Sequence, residues 1–193
     1  MKELVFLLEE PSAKAMLESM LPRILDSSIR PRLLDFEGKQ DLEKQMVKRM
    51  KGYLNPHVRF VVMRDQDAAP DCHIIKEALL SRCREAGRHG ISLVRIACRE
   101  LESFYLADLA AVESGLGIKG LAKQQGIAKF RKPDYLHNPS KELIVLTKQC
   151  YQKVSGSREI GKYLEIGNER SSSFKNLIAG IKRMEQELLE LAA

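Results

Sequence analysis

Short apolar runs alternate with amphipathic ones along the first hundred residues. Residues 4–8 (Leu-Val-Phe-Leu-Leu) form a continuous apolar run of strand length, and residues 58–63 (Val-Arg-Phe-Val-Val-Met) form a mostly apolar one rich in β-branched side chains. Runs of this kind predict strands buried on both faces. Residues 31–36 and 91–98 predict two more strands. Between them lie stretches with helical spacing. One opens at Pro11, with Leu17, Met20, Leu21, Ile24 and Leu25 on one face, and Pro22 is expected to kink it or end it early. Residues 39–51 predict a mostly solvated helix, and Pro70 opens another whose face carries Ile75, Leu79 and Cys83. Residues 99–106 predict a short helix. The rhythm is β-α-β-α-β-α-β, which calls for a mostly parallel four-stranded sheet flanked by helices with right-handed crossovers, an α/β Rossmann-like architecture.

After residue 114 the pattern changes. A Gly- and Lys-rich loop is followed by amphipathic stretches at 140–151 and 171–191. The latter carries a stripe of Phe174, Leu177, Ile178, Ile181, Leu188 and Leu191, with Ser171–Ser173 available as a cap. The chain therefore divides into an α/β unit over 1–114 and a basic loop with a helical C-terminal extension over 115–193. There is no internal repeat and no low-complexity tract.

Composition adds limits. With 193 residues, 44% apolar and 30% charged, the chain can build an ordinary core. No apolar run approaches the roughly 18 residues of a membrane span, and the N-terminus lacks the features of a signal peptide. A cytoplasmic protein with no membrane partner is expected. The four cysteines (72, 83, 98 and 150) include no Cys-x-x-Cys pair, and Cys72-His73 has no second pair at zinc-finger spacing, so reduced structural thiols are expected. The net charge of +6 is uneven. Residues 1–116 balance at 18 basic and 18 acidic, whereas 117–193 carry 14 basic and 8 acidic. No acid lies between Ser114 and Asp134, where Lys119, Lys123, Lys129, Arg131 and Lys132 fall. These five suit a phosphate backbone, or a solvated loop.

Every predicted strand ends in carboxylates. The first gives Glu9 and Glu10, the second Asp35 and Glu37, the third Asp65 and Asp67, the fourth Glu100 and Glu102. In a parallel sheet these ends share one edge, the edge where open α/β sheets bind ligands. Crowded carboxylates call for a hard cation, Mg²⁺ or Mn²⁺ rather than zinc. Some of the eight are expected to be helix-capping or first-turn acids.

The stretch Leu7-Leu8-Glu9-Glu10-Pro11-Ser12 after the first strand, with Met63-Arg64-Asp65-Gln66-Asp67 after the third, resembles the Toprim domain of topoisomerases, bacterial primases and nucleases of the overcoming-lysogenization-defect type. A closer resemblance spans nearly the whole chain. Asp65-Gln66-Asp67-Ala68-Ala69-Pro70-Asp71-Cys72, the stretch from Arg99 to Asp108, and Tyr151-Gln152-Lys153-Val154-Ser155-Gly156-Ser157-Arg158 look like the small bacterial Toprim-like domain-of-unknown-function 4276 family. The resemblance implies a Toprim-like fold and metal-dependent hydrolysis of DNA or RNA phosphodiesters. It implies Glu9 as general acid/base or metal ligand, and Asp65 and Asp67 as the Mg²⁺-holding pair. Toprim proteins usually carry Gly where this chain has Glu10, a substitution expected to alter the turn or narrow access.

Further residues join this reading. Asp71 is either another ligand or the cap of the helix at Pro70. Glu100 and Glu102 are candidates for a second metal, Glu102 the favoured one. Lys153 and Arg158 are either phosphate-neutralising groups, with Lys153 in a catalytic role, or surface cations. The tyrosines, Tyr105 and Tyr151 among them, are expected to be packing residues. The expected activity is a two-metal nuclease, part of anti-phage defence or nucleic-acid processing, with an ABC-type ATPase partner by analogy and a homodimer as the expected assembly. Two alternatives stand beside it: a non-catalytic Toprim-like subunit that binds nucleic acid or an ATPase, and a haloacid-dehalogenase-like phosphatase. The last usually carries its Asp-x-Asp on the first strand, and here the first strand ends in Glu9.

Overall fold

The computed structural model describes residues 1–191. Four strands, β1 (Lys2–Leu8), β2 (Ile29–Asp35), β3 (Val58–Asp65) and β4 (Ser92–Ala97), form one wholly parallel sheet in the order β2-β1-β3-β4. β1 lies inside the sheet, and Leu4 to Leu8 are fully buried. Their side chains alternate as the pleat demands: Leu4, Phe6 and Leu8 enter one core, Val5 and Leu7 the other. β3 repeats this with Val61 and Met63 against Phe60 and Val62. β2 is an edge strand, where Pro31 and its missing N–H are tolerated.

Two helices, α2 (Lys39–Lys51) and α3 (Cys72–Glu85), cover one face through Leu42, Met46, Met50, Ile75, Leu79 and Cys83. The other face carries α1 (Pro11–Met20), α4 (Glu102–Leu106), α5 (Leu109–Leu116), α6 (Pro139–Leu146), α7 (Lys153–Gly161) and α8 (Ser172–Leu189) around one shared core. The chain leaves β1 for β2 on one side and returns for β3 on the other. The switch point therefore lies between β1 and β3, which places a ligand crevice beyond their C-terminal ends.

Most predicted elements are present, with altered ends. α1 stops at Met20, and Leu21–Arg23 form a 3₁₀ turn around Pro22, so Ile24 and Leu25 pack on the core from beyond the helix. β2 starts two residues earlier than expected. The helix expected over 140–151 ends at Leu146, because Lys148 and Gln149 take left-handed backbone (φ 50° and 66°) and reverse the chain. The helix α7 that follows is absent from the sequence reading. Its Ser-Gly-Ser core is a poor helix former, and packing supplies what propensity lacks. A Cβ on Gly161 would meet the Met16 carbonyl of α1 at 2.7 Å, and one on Gly115 would meet the α7 backbone at Ile160 at 2.7 Å. These glycines let α7 sit against both neighbours. α5, also unforeseen, is capped by the Asp108 carboxylate, which accepts the Ala111 N–H, and it ends at Gly117 in left-handed backbone.

On α8, Phe174, Leu177, Ile178, Ile181 and Leu188 are buried against the sheet, as the stripe predicts, and Leu191 packs at the edge of the same core. Each such side chain contributes about 1.5–3 kcal/mol before entropic costs. The Ser171 hydroxyl caps α8 by accepting the Phe174 N–H, and Asp134 holds that hydroxyl and the Ser173 N–H. Among the described residues no helix is long and apolar enough to cross a membrane.

Candidate functional site

The register brings the ends of β1 and β3 side by side, Leu8 opposite Met63. Beyond them, Glu9 turns back and its Oε2 accepts the Asp65 N–H at 2.9 Å. Arg64, on the opposite pleat from Asp65, donates to Glu43 at 2.6 Å and stands 3.9 Å from Glu9. Asp65 has the parity of Val61 and Met63 and so enters the face covered by α4 and α7. There it is 9% exposed, and its Oδ2 accepts the Leu101 N–H. One residue on, Glu102 begins α4 and is fully buried. Its Oε1 accepts from the Tyr151 hydroxyl at 3.0 Å, and that hydroxyl is also shared with Ser157 at 3.2 Å. Its Oε2, like the Tyr105 hydroxyl, has no hydrogen-bond partner among the described residues.

Burial pushes the carboxyls of Glu9, Asp65 and Glu102 above their ordinary range, Asp65 well above it. Each carboxyl also feels its neighbours: Asp67 and Glu10 raise Glu9, while Glu10 and Glu102 raise Asp65. Lys153, the first residue of α7, donates to Glu10 at 3.3 Å. Burial pulls the Lys153 ammonium down, but Glu102, Glu10 and Asp65 outweigh it and hold the group above its usual value. The result is four carboxylates with one half-exposed ammonium beside them.

Glu10 is thus part of the cluster. Its backbone is extended (φ −145°, ψ 158°), a conformation open to any residue, so this turn makes no demand for glycine. Asp67 diverges from Asp65. Held in left-handed backbone (φ 55°) by donation of its N–H to Arg99, it pairs with Lys39 at 3.0 Å and is half exposed. Its charge still reaches Glu9. Asp67, Arg99, Glu100, His137 and Asn138 line a cleft of about 560 Å³ next to the cluster.

The other expected ligands are engaged elsewhere. Asp71 caps α3 by accepting the His73 N–H at 2.7 Å, and its near neighbours are Cys72 and His73. Glu100 accepts the Ser140 N–H at 2.7 Å, which ties it to the start of α6. Asp35 pairs with Lys14. Among the basic residues, Lys129 pairs with Glu142 at 2.6 Å, Arg131 donates to the Gly126 carbonyl, and Arg158 lies 3.7 Å from Glu18. Lys119, Lys123 and Lys132 are exposed and form no ion pair among the described residues. Tyr151 does more than pack: besides stacking edge-on against Tyr105 it holds Glu102. Nothing in its sequence neighbourhood reveals this, because the contact depends on α7. A Cβ on Gly156 would lie 2.6 Å from the Tyr151 ring, so that glycine opens the space the ring fills.

A protein-family model described as a domain of unknown function (DUF4276) matches residues 8–182. No curated protein and no solved structure matches the chain.

Proposed function

This chain belongs to the DUF4276 family, and we propose that its carboxylate cluster serves a Mg²⁺- or Mn²⁺-dependent nuclease of Toprim type. The observation that carries the reading is the Glu102 Oε2, wholly buried and without a partner among the described residues, close enough to Asp65 to raise its carboxyl, which burial has also raised. A carboxylate oxygen so placed costs about 1–3 kcal/mol or more unless something binds it. An all-oxygen donor set suits a hard divalent cation. No three of the cluster's carboxylates bring their oxygens within 4.8 Å of one another, so a cation would have to draw them together; Glu9, Asp65 and Glu102 would hold it, with Asp67 at the rim. Such an ion, when bound, polarises a phosphoryl oxygen and lowers the pKa of water.

The chain's own groups fit the remaining tasks. Glu9, its proton affinity raised by burial, is suited to accept or return a proton. Tyr151, its hydroxyl shared with Ser157, fixes one oxygen of Glu102 and leaves the other without a partner among the described residues. Lys153 lies close enough to the acids to stabilise charge on a phosphate bound there. Arg99 and His137 line the adjoining cleft, and the unpaired lysines of the 119–132 segment add positive charge for a polyanion. Glu9 after β1 and Asp65/Asp67 at the end of β3, across the switch point, support the Toprim reading over that of a haloacid-dehalogenase-like phosphatase, whose Asp-x-Asp usually lies on the first strand.

One observation favours the non-catalytic alternative. Lys153–Glu10 and Lys39–Asp67 already offset part of the negative charge. The test is incubation of the purified chain with plasmid, single-stranded DNA and tRNA in Mg²⁺ and in Mn²⁺, beside Asp65→Asn and Glu102→Gln. Metal-dependent cutting lost in both variants is the expected outcome. Cutting that persists in both removes the cluster from the chemistry. Metal and nucleic-acid binding without cutting establishes the binding module instead.

A further inference from the structure

On the other side of β4 from the carboxylate cluster, a cleft of about 370 Å³ is lined by Cys72 and His73 of α3 and by Cys98, the residue after β4. The ligand atoms of Asp71, Cys72 and His73 lie within 4.8 Å of one another. Cys98, 26 positions farther along the chain, stands outside that 4.8 Å group but lines the same cleft as Cys72 and His73. We propose that Asp71, Cys72, His73 and Cys98 form a binding site for one Zn²⁺ or another thiophilic divalent cation.

The donor set is two sulfurs, one imidazole nitrogen and one carboxylate oxygen, drawn from a helix start and a strand end. Four donors of that softness select zinc over Mg²⁺, opposite in preference to the all-oxygen cluster. Asp71 uses one oxygen to cap α3, which leaves the second for a cation and fixes the carboxylate's direction. Asp71 and His73 are exposed and the two cysteines are not, so the site has an open side for entry and a sheltered side for the thiolates. Charge also closes. Two thiolates and a carboxylate around a dication leave one net negative charge, and Lys76 and Arg95 line the same cleft. The Arg95 guanidinium is anchored on the Asn176 and Val94 carbonyls. The spacing Cys72-x₂₅-Cys98 matches no zinc-finger pattern, which is why the sequence gives no sign of it.

Cobalt titration under reducing conditions tests this. One equivalent of Co²⁺ should bring up a thiolate-to-cobalt charge-transfer band, abolished by one equivalent of Zn²⁺ and untouched by excess Mg²⁺. Cys72→Ser and Cys98→Ser should each lose the band while circular dichroism stays that of the wild type. His73→Ala, an exposed change with little risk to folding, should weaken Co²⁺ binding by at least the ~10–100-fold that loss of a ligand's supporting partner costs. Cys150→Ser and Asp65→Asn should keep the band, which separates this site from the carboxylate cluster. Absence of a band in the wild type, or its survival in the Cys72→Ser/Cys98→Ser double variant, overturns the assignment.

Discussion

Asp65→Asn isolates the electrostatics of the carboxylate cluster. The change keeps the shape of the side chain, and its amide oxygen can still accept the Leu101 N–H. It removes the charge that Glu10, Glu102 and Glu9 oppose. In the wild type, Glu9, Asp65 and Glu102 bind protons more tightly folded than unfolded, so they favour the fold at low pH and cost stability as pH rises through their raised values. A cation that replaces those protons reverses the cost, and its apparent affinity grows with pH. At a concentration ~100 times its dissociation constant, a cation bound only by the folded chain stabilises by ~2.7 kcal/mol. For a chain of 193 residues each kcal/mol is worth roughly 2–4 °C, which gives a rise of about 5–11 °C. Thermal denaturation followed by circular dichroism, in EDTA and in Mg²⁺ or Mn²⁺, over a pH series running upward from the ordinary carboxylate range, checks every part of this. Wild type should lose stability in EDTA from the lower to the higher pH and regain it with metal, most at the higher pH. Asp65→Asn should melt in EDTA at or above the wild-type temperature, show a flatter pH dependence, and respond to metal by under ~2 °C. A variant that keeps the full metal response, or a wild type that shows none, refutes the cation site.

Three further outcomes follow from particular contacts. Tyr151→Phe removes the donor that lowers the Glu102 pKa, so the pH at which metal binding reaches half its maximum should move upward, read by the same melting series. Gly161→Ala drives a Cβ to 2.7 Å from the Met16 carbonyl, a backbone atom with nowhere to go, and should cost roughly 1–3 kcal/mol or more; Gly180→Ala meets the Leu93 and Arg95 side chains, which can rotate, and should cost less in the same chemical-denaturation measurement. Ser171→Ala deletes the cap of α8 and strands Asp134 without its hydroxyl donor, for a loss of about 1–2 kcal/mol at unchanged denaturant slope.

The sheet was legible because buried parallel strands are written as short, mostly apolar runs, such as 4–8 and 58–63, and each strand's end is followed by acids. Those acids include Glu9, Asp65 and Glu102. Position alone could not separate them from Asp35 and Glu100, or from Asp71 farther on, since an acid that caps a helix and an acid buried in a cluster look alike before the helix is placed. Asp71 and Glu100 went to backbone N–H groups. In sequence Glu10 is a departure from a glycine, and only the extended backbone at that residue shows that the turn accepts a side chain. α7 was hidden for a different reason. Its glycines lower helix propensity but permit the close packing on α1 and α5 that stabilises it, and Tyr151 acquires its partner only through that packing.

The contacts that complete the cluster span long stretches of chain: Glu9 to Asp65 is 56 residues, Tyr151 to Glu102 is 49, and Lys153 to Glu10 is 143. During synthesis the acids of β1, β3 and α4 therefore emerge well before the lysine and tyrosine that attend them. A chain stopped short of α7 holds like charges together with no ammonium among them, and loop closure over such distances comes late in folding. Dissolved cations are the natural stand-in during that interval. Refolding should accordingly run faster in millimolar Mg²⁺ than in a monovalent salt of equal ionic strength, with the gain confined to the final docking of α7.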